Sequence, residues 1–234
     1  MPVLKTIWPN LTSGWKASTN ALAQDAASLA FYNRRELSKL LDKRGMPLAA
    51  LAPYPAAIQT QLVLSWLRAN AVQLSGQPGL TTTLPLLLAG AGKNTELALT
   101  MAEDSQVRVW LRLYQQRLWL YHQPAAAADL CIKWSGALPL QLSDSTLSCT
   151  GPPPHGLQVV VKAGNARVQL ANRRHHSQLI KLMQQHGIPS WERSRTPQIY
   201  NQQGLLLALG DTALCPQAQE LGLEWQPSWR LLCS

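Results

Sequence analysis

Arginines, histidines and a single glutamate crowd one stretch of the chain. It runs from Arg173-Arg174-His175-His176 through Leu179, Leu182, Met183 and His186 to Gly187-Ile188-Pro189-Ser190-Trp191-Glu192-Arg193-Ser194-Arg195-Thr196-Pro197. Such residue types can ligate a metal, catalyse acid–base chemistry or capture an anion. The metal reading is the weakest. Adjacent histidines on a helix point about 100° apart, and His186 lies ten residues beyond His176. None of the three has a cysteine or carboxylate three or four positions on, so no metal site is expected. The cysteines Cys131, Cys149, Cys215 and Cys233 form no close Cys-x-x-Cys pair and read as isolated thiols. Acidic residues are scattered, and neither a Gly-x-Ser-x-Gly elbow nor a His-Glu-x-x-His helix occurs. Ala89-Gly90-Ala91-Gly92-Lys93-Asn94 imitates a phosphate loop, but Leu87 stands where the first glycine belongs and Asn94 where Ser or Thr does. It reads as a surface turn. No catalytic residue is expected in this chain.

Anion capture is left. The chain has 21 Lys and Arg against 12 Asp and Glu, a formal charge of +9 and a pI near 9.7. From Lys162 to Arg195 the cations are Lys162, Arg167, Arg173, Arg174, Lys181, Arg193 and Arg195, with Glu192 the single acid. Arg173, Arg174 and His175 precede a helix expected over 176–186, whose start would offer unpaired N–H groups and a partial positive charge. Arg193 and Arg195, two apart, would fork phosphate oxygens from one side of an extended segment. The bland alternative is a solvated basic face with Ile188 and Trp191 in the core. Spacing alone does not choose between these, nor RNA over DNA or membrane.

The elements that must position these residues are legible from periodicity. At 234 residues, 46% hydrophobic and 14% charged, the chain can bury a core without staples. No apolar run approaches the ~20 residues of a membrane span, since Leu84 to Ala91 is short and carries Pro85. With no signal peptide at Met1, a cytoplasmic location is expected. Thr12 or Ser13 can cap a long helix with a buried stripe of Trp15, Leu22, Ala26 and Leu29, continuing to Leu41, with Arg34, Arg35 and Lys39 on its wetter side. Gly45 and Pro47 stop it. A second helix carries Ile58, Leu62, Val63, Trp66 and Leu67, and a short one spans 81–88 after a turn at 76–79. Alternation then takes over. Val107, Val109, Leu111 and Leu113 make one strand, and Leu118 and Leu120 the second arm of a hairpin across Gln115-Gln116. Strands are expected at 130–134 and 138–142. Gly151-Pro152-Pro153-Pro154-His155-Gly156 is a linker. Beyond it come strands at 157–161, 168–170, 199–200 and 205–209.

These residues resemble the C-terminal half of the bacterial tRNA(Ile)-lysidine synthetases. The strongest likeness is Gly187-Ile188-Pro189-Ser190-Trp191-Glu192-Arg193-Ser194-Arg195-Thr196-Pro197, similar to the family's glycine-(isoleucine/valine)-proline-x-tryptophan-x-arginine-x-arginine-x-proline. Ile7-Trp8-Pro9-Asn10, Leu62-Val63-Leu64-Ser65-Trp66-Leu67, Gln106-Val107-Arg108-Val109 and Arg117-Leu118-Trp119-Leu120 resemble its earlier segments. The family's Ser-Gly-Gly-x-Asp-Ser ATP site has no counterpart in these residues, and the likeness starts where its adenylating domain would end. Two positions depart from the family's basic seat: Lys162-Ala163-Gly164-Asn165 replaces arginine-proline-glycine-glycine, and Ile180 stands for the first lysine of leucine-lysine-lysine-leucine.

The resemblance implies an α+β chain: a helical substrate-binding domain over 1–92, a strand-rich connecting segment over 93–150 and a small C-terminal α/β tRNA-binding domain over 151–234. It implies tRNA, in particular isoleucine tRNA, as partner, held by Lys162, Arg167, Arg173, Arg174, His175, Lys181, Arg193 and Arg195. The family ligates lysine to C2 of the wobble cytidine at the expense of ATP. No cofactor is expected in this chain, because ATP belongs to the PP-loop domain, severed from it or supplied in trans. The alternative from another class is a stand-alone or degenerate interaction or scaffold protein, in which the basic face is residual and the domains bind a protein partner.

Overall fold

A computed structural model describes residues 11–72, 80–89, 95–100, 108–122, 128–152, 156–173 and 175–231. The expected motif at Ile7–Asn10, the turns at 76–79 and 90–94, the start of the first expected strand at Val107, the centre of the proline linker, Arg174 and Cys233 lie outside them. The fold is α+β. Contacts divide it into two units, Met1–Tyr121 with Leu231–Ser234, and His122–Arg230.

The first unit opens with α1 (Leu11–Leu40), followed by β1 (Met46–Pro47), α2 (Leu48–Leu51), α3 (Ala56–Ala69) and α4 (Leu80–Ala89). Strands β2 (Thr95–Thr100), β3 (Arg108–Tyr114) and β4 (Arg117–His122) complete it. They form a sheet in the order β1-β4-β3-β2, with Met46 opposite Leu118. The β3–β4 hairpin turns at Gln115 and Gln116, both with positive φ, as the strand-matching two-residue turn requires. Alternation placed the sheet correctly, since Val109, Leu111 and Leu113 are all buried. They share one core with Leu37, Met46, Leu62, Val63, Trp66, Leu67 and Leu84.

The expected buried stripe of Trp15, Leu22, Ala26 and Leu29 on α1 is exposed, and burial begins only in its C-terminal continuation. Leu37 and Leu40 are buried, but Trp15, Leu22 and Leu29 are 68%, 67% and 54% exposed. The reason is length. A 30-residue helix extends about 45 Å at 1.5 Å per residue, whereas the 14 residues of α3 span about 21 Å. Asn33 donates to Ser65 Oγ at 2.9 Å, where the two helices still face each other. Farther towards its N-terminus α1 outruns its partner. Glu36 fixes the C-terminal part: Lys39 and Tyr54 both donate to its carboxylate, which holds the group below its ordinary pKa, and the same bond raises that of Tyr54.

The described residues of the second unit form three sheets. Strands β5 (Leu130–Trp134), β8 (Leu157–Val161), β11 (Gln198–Tyr200), β12 (Leu206–Leu209) and β13 (Thr212–Ala213) line up in the order β13-β12-β11-β8-β5. Strands β6 (Leu140–Gln141), β7 (Ser145–Cys149) and β14 (Leu223–Pro227) form a second sheet. A ribbon pairs β9 (Arg167–Gln169) with β10 (His176–Gln178), and it is followed by α5 (Leu179–Gln185). The last helix is α6 (Pro216–Glu220). Val168, Leu170, Leu179, Leu182, Met183, Ile188, Leu206 and Leu209 build one core cluster.

The two units divide at Tyr121/His122, inside the connecting segment expected over 93–150. Pairing decides this. β4 is zipped to β1, which makes it part of the helical unit. β5 pairs with β8, and β7 with β14, which draws 130–149 into the second unit. The expected 176–186 helix also divides: its apolar spacing starts only at Leu179, and the polar residues before it pair with β9 instead.

Gly210 is needed for its missing side chain. Its φ is +57°, and a Cβ there would lie 2.6 Å from Cε3 of Trp225. Gly210→Ala is expected to cost about 1–3 kcal/mol from the left-handed backbone alone, read as a lowered urea midpoint.

Candidate nucleic-acid interface

The eight sequence-predicted contact residues fall into two groups with opposite surroundings. Arg193 and Arg195 belong to a turn, not an extended segment. Ile188 N–H closes α5 on the carbonyl of Met183, and Glu192 N–H bonds to Pro189 O. Arg195 and Thr196 N–H both return to Glu192 O. A tightly turned backbone does not point residues two apart to one side. Arg195 is 5% exposed, ion-paired with Asp144, and its guanidinium lies 5.4 Å from the centre of the Trp229 ring. Arg193 is half-buried and donates from Nε to Ile188 O at 3.1 Å. Glu192 is 1% exposed and takes Nε and Nη2 of Arg230 on its two carboxylate oxygens, each at 2.7 Å. Arg230 in turn stacks 4.9 Å over Trp225. The expected extended geometry of the fork is therefore corrected. Arg195 is a nearly buried residue in an ion-paired, aromatic-lined setting.

The remaining cations are outside. Lys162, Arg167, Arg173, His175 and Lys181 are all exposed, and Arg174 lies outside the described residues. Lys162 approaches Asp129 only to 3.9 Å with both side chains mostly in water, a contact worth little. The others ride on the β9–β10 ribbon and its flanks. Buried Val168 turns Arg167 and Gln169 to the opposite, outward face. Across the ribbon Gln178 stands opposite Arg167, and His176 opposite Gln169. Gln169 Nε2 donates to Arg173 O at 3.3 Å, tying the hairpin loop to the strand. Lys181 is in the first turn of α5, immediately after the ribbon. No Asp or Glu occurs between Lys162 and Trp191, so this face has no acid from its own segment.

The phosphate seat at a helix start is also corrected. β10 separates Arg173 and His175 from α5, and α5 has only seven residues. Its leading donors are engaged, Leu179 N–H with Ala166 O at 3.0 Å and Ile180 N–H with Asn165 Oδ1 at 3.4 Å. The ribbon offers a row of side chains instead. Sequence reasoning passed over Gln169, His176 and Gln178 as members of this face, although the polar–apolar–polar order of Arg167-Val168-Gln169 was the available signal. Among the described residues no group of His, Cys, Asp and Glu is placed to hold a metal, and no helix is long and apolar enough to cross a membrane.

Comparison with known proteins falls on the same region. Residues 157–229 match the TilS substrate C-terminal domain. Over 97% of its length the chain is 32% identical to the tRNA(Ile)-lysidine synthase of Xylella fastidiosa (strain Temecula1), and 29% identical to that of Xanthomonas axonopodis pv. citri. The synthase of Serratia proteamaculans is 25% identical over 98% of the chain. The chain spans only about half the length of these relatives, 54%, 53% and 54%.

Proposed function

We propose, for a chain related to the tRNA(Ile)-lysidine synthases and corresponding to their C-terminal portion, that it is a tRNA-recognition module and that the β9–β10 ribbon is its handle. The observation that carries this reading is the exposed row Arg167, Arg173, His175, His176 and Lys181, which lies within the matched domain and has no acid from its own segment. Duplex RNA is recognised largely by shape, phosphate and 2′-OH. Long cationic side chains on a two-stranded ribbon suit that task, because the ribbon fixes their spacing while each head adjusts to a phosphate. Isoleucine tRNA is the partner this kinship favours. The ATP- and lysine-dependent ligation belongs, on this reading, to the portion of the relatives that this chain does not span, acting in cis or in trans in the cytoplasm.

The test is titration of the chain with isoleucine tRNA across a salt series. Binding is expected at low salt. About four phosphate contacts give a log K against log salt slope near −3. Failure to shift tRNA at low salt would remove the reading.

A further inference from the structure

The β9–β10 ribbon carries two amides among its cations. Directly opposite residues share one face of a sheet, so the register sets Arg167 beside Gln178 and Gln169 beside His176 as two adjacent pairs on the outward side. Arg167 and His176 are exposed, whereas Gln169 and Gln178 are half-buried. The two glutamines occupy the diagonal of this patch, about 7–8 Å apart. Gln169 Nε2 donates to Arg173 O at 3.3 Å, which fixes the amide with Oε1 as its accepting end. The inner side of the ribbon is occupied. Val168 is 5% exposed and belongs to the core cluster of Leu179, Leu182, Met183 and Ile188, and Ser177 stands opposite it. The ribbon therefore lies flat on its own unit. From Lys162 to Ser190 the sequence has no Phe, Tyr or Trp.

The geometry points to Gln169 and Gln178 as the residues that select RNA over DNA on this face, by hydrogen bonds to ribose 2′-hydroxyls in the minor groove of an A-form duplex. This rests on the tRNA-binding reading and deepens it: the cations hold phosphates, and the amides choose the sugar. The cations do not make that choice, because contacts to phosphate position a nucleic acid without identifying it. A 2′-hydroxyl both donates and accepts, and so does a glutamine amide. Groove shape supplies the second argument. The A-form minor groove is wide, shallow and lined with 2′-hydroxyls, while its major groove is too deep and narrow for side chains. A ribbon packed flat on its core can lie against the shallow groove. The DNA major groove takes a two-stranded ribbon by insertion, which the anchoring of Val168 opposes. Single strands are held by stacking bases on aromatic rings, and this segment offers no Phe, Tyr or Trp.

The test uses the full chain, isoleucine tRNA and three short duplexes of one sequence: RNA, its 2′-fluoro analogue and DNA. The 2′-fluoro duplex keeps the A-form but has no hydroxyl to donate. The wild type is expected to bind the RNA duplex about tenfold more tightly than the 2′-fluoro one, as the loss of two hydrogen bonds predicts. Gln169→Met with Gln178→Met keeps side-chain length and removes both amides. It should bring the two affinities together and leave the salt slope unchanged, because neutral side chains release no counterions. Gln178→Met alone spares the tie between Gln169 and Arg173, and should remove about half of the preference on a logarithmic scale. Arg167→Gln should do the reverse, flattening the slope by about one unit while keeping the preference. Circular dichroism checks that the variants are folded. If the double glutamine variant keeps the wild-type preference, or the wild type binds RNA and 2′-fluoro duplexes alike, the 2′-hydroxyl assignment is overturned while tRNA binding by the cations stands. A wild type that prefers the DNA duplex overturns it as well. If the wild type binds neither tRNA nor any duplex, both readings fall.

Discussion

Alanine at Glu192 is expected to destabilise the second unit by about 3–5 kcal/mol, the cost of leaving one member of a buried ion pair without its partner. The abandoned partner is Arg230, whose side chain is 5% exposed and is fixed over Trp225. Guanidinium does not escape by deprotonation at any ordinary pH. The charge must therefore stay buried and unpaired, or the local structure must open to admit water. A second variant makes the cause testable. Replacing both partners together, Glu192→Met with Arg230→Leu, should recover most of the loss, because two apolar side chains of similar size leave no orphaned charge. Urea unfolding of the full chain reads both effects. A Glu192→Ala protein as stable as the wild type would show that the pair does not hold the turn.

Asp144→Ala is expected to have an effect of the same order, about 3–5 kcal/mol, by the same mechanism acting on Arg195. Asp144 lies in the short connection between β6 and β7, and its carbonyl accepts from both N–H and Oγ of Ser228. Its carboxylate is the ion-pair partner of an arginine that is almost wholly buried. Asp144→Asn preserves the shape and an acceptor and should lose distinctly less. Equal losses for the alanine and asparagine variants would mean that side-chain packing, and not the acceptor on Arg195, sets the cost.

These two pairs show where sequence was readable and where it was not. Local periodicity placed β3, β4 and β8 within about a residue, since alternation such as Val109, Leu111, Leu113 is decided by neighbours along one strand. The long α1 was equally legible as a helix. Its stripe was not, because a 3.6-residue period identifies the apolar side of a helix and not the length of the element that covers it. Trp15 and Leu22 stay exposed for that reason. The division of 176–186 into strand and helix depended on a partner strand, Arg167–Gln169, outside any helical window.

The candidate site was misread where its partners are remote. The Trp191–Pro197 block carried the strongest family likeness, and its two arginines looked like phosphate ligands. Arg195 is neutralised by Asp144, 51 residues earlier, and Glu192 is claimed by Arg230, 38 residues later. Neither separation leaves a mark on the local pattern. Arg173 and His175 are exposed, but the helix start expected beside them is a strand, His176–Gln178.

The most direct measurement is the salt dependence of tRNA binding by two variants side by side. One carries Arg167→Gln, Arg173→Gln and Lys181→Gln on the exposed ribbon. The other carries Arg195→Gln and is assayed at a temperature where circular dichroism shows it folded. The ribbon variant should lower the magnitude of the log K against log salt slope by about two to three units. The Arg195 variant should leave the slope at the wild-type value while lowering the urea midpoint. An unchanged slope for the ribbon variant, or a folded Arg195 variant that flattens the slope as strongly, would contradict the assignment of tRNA binding to the β9–β10 face.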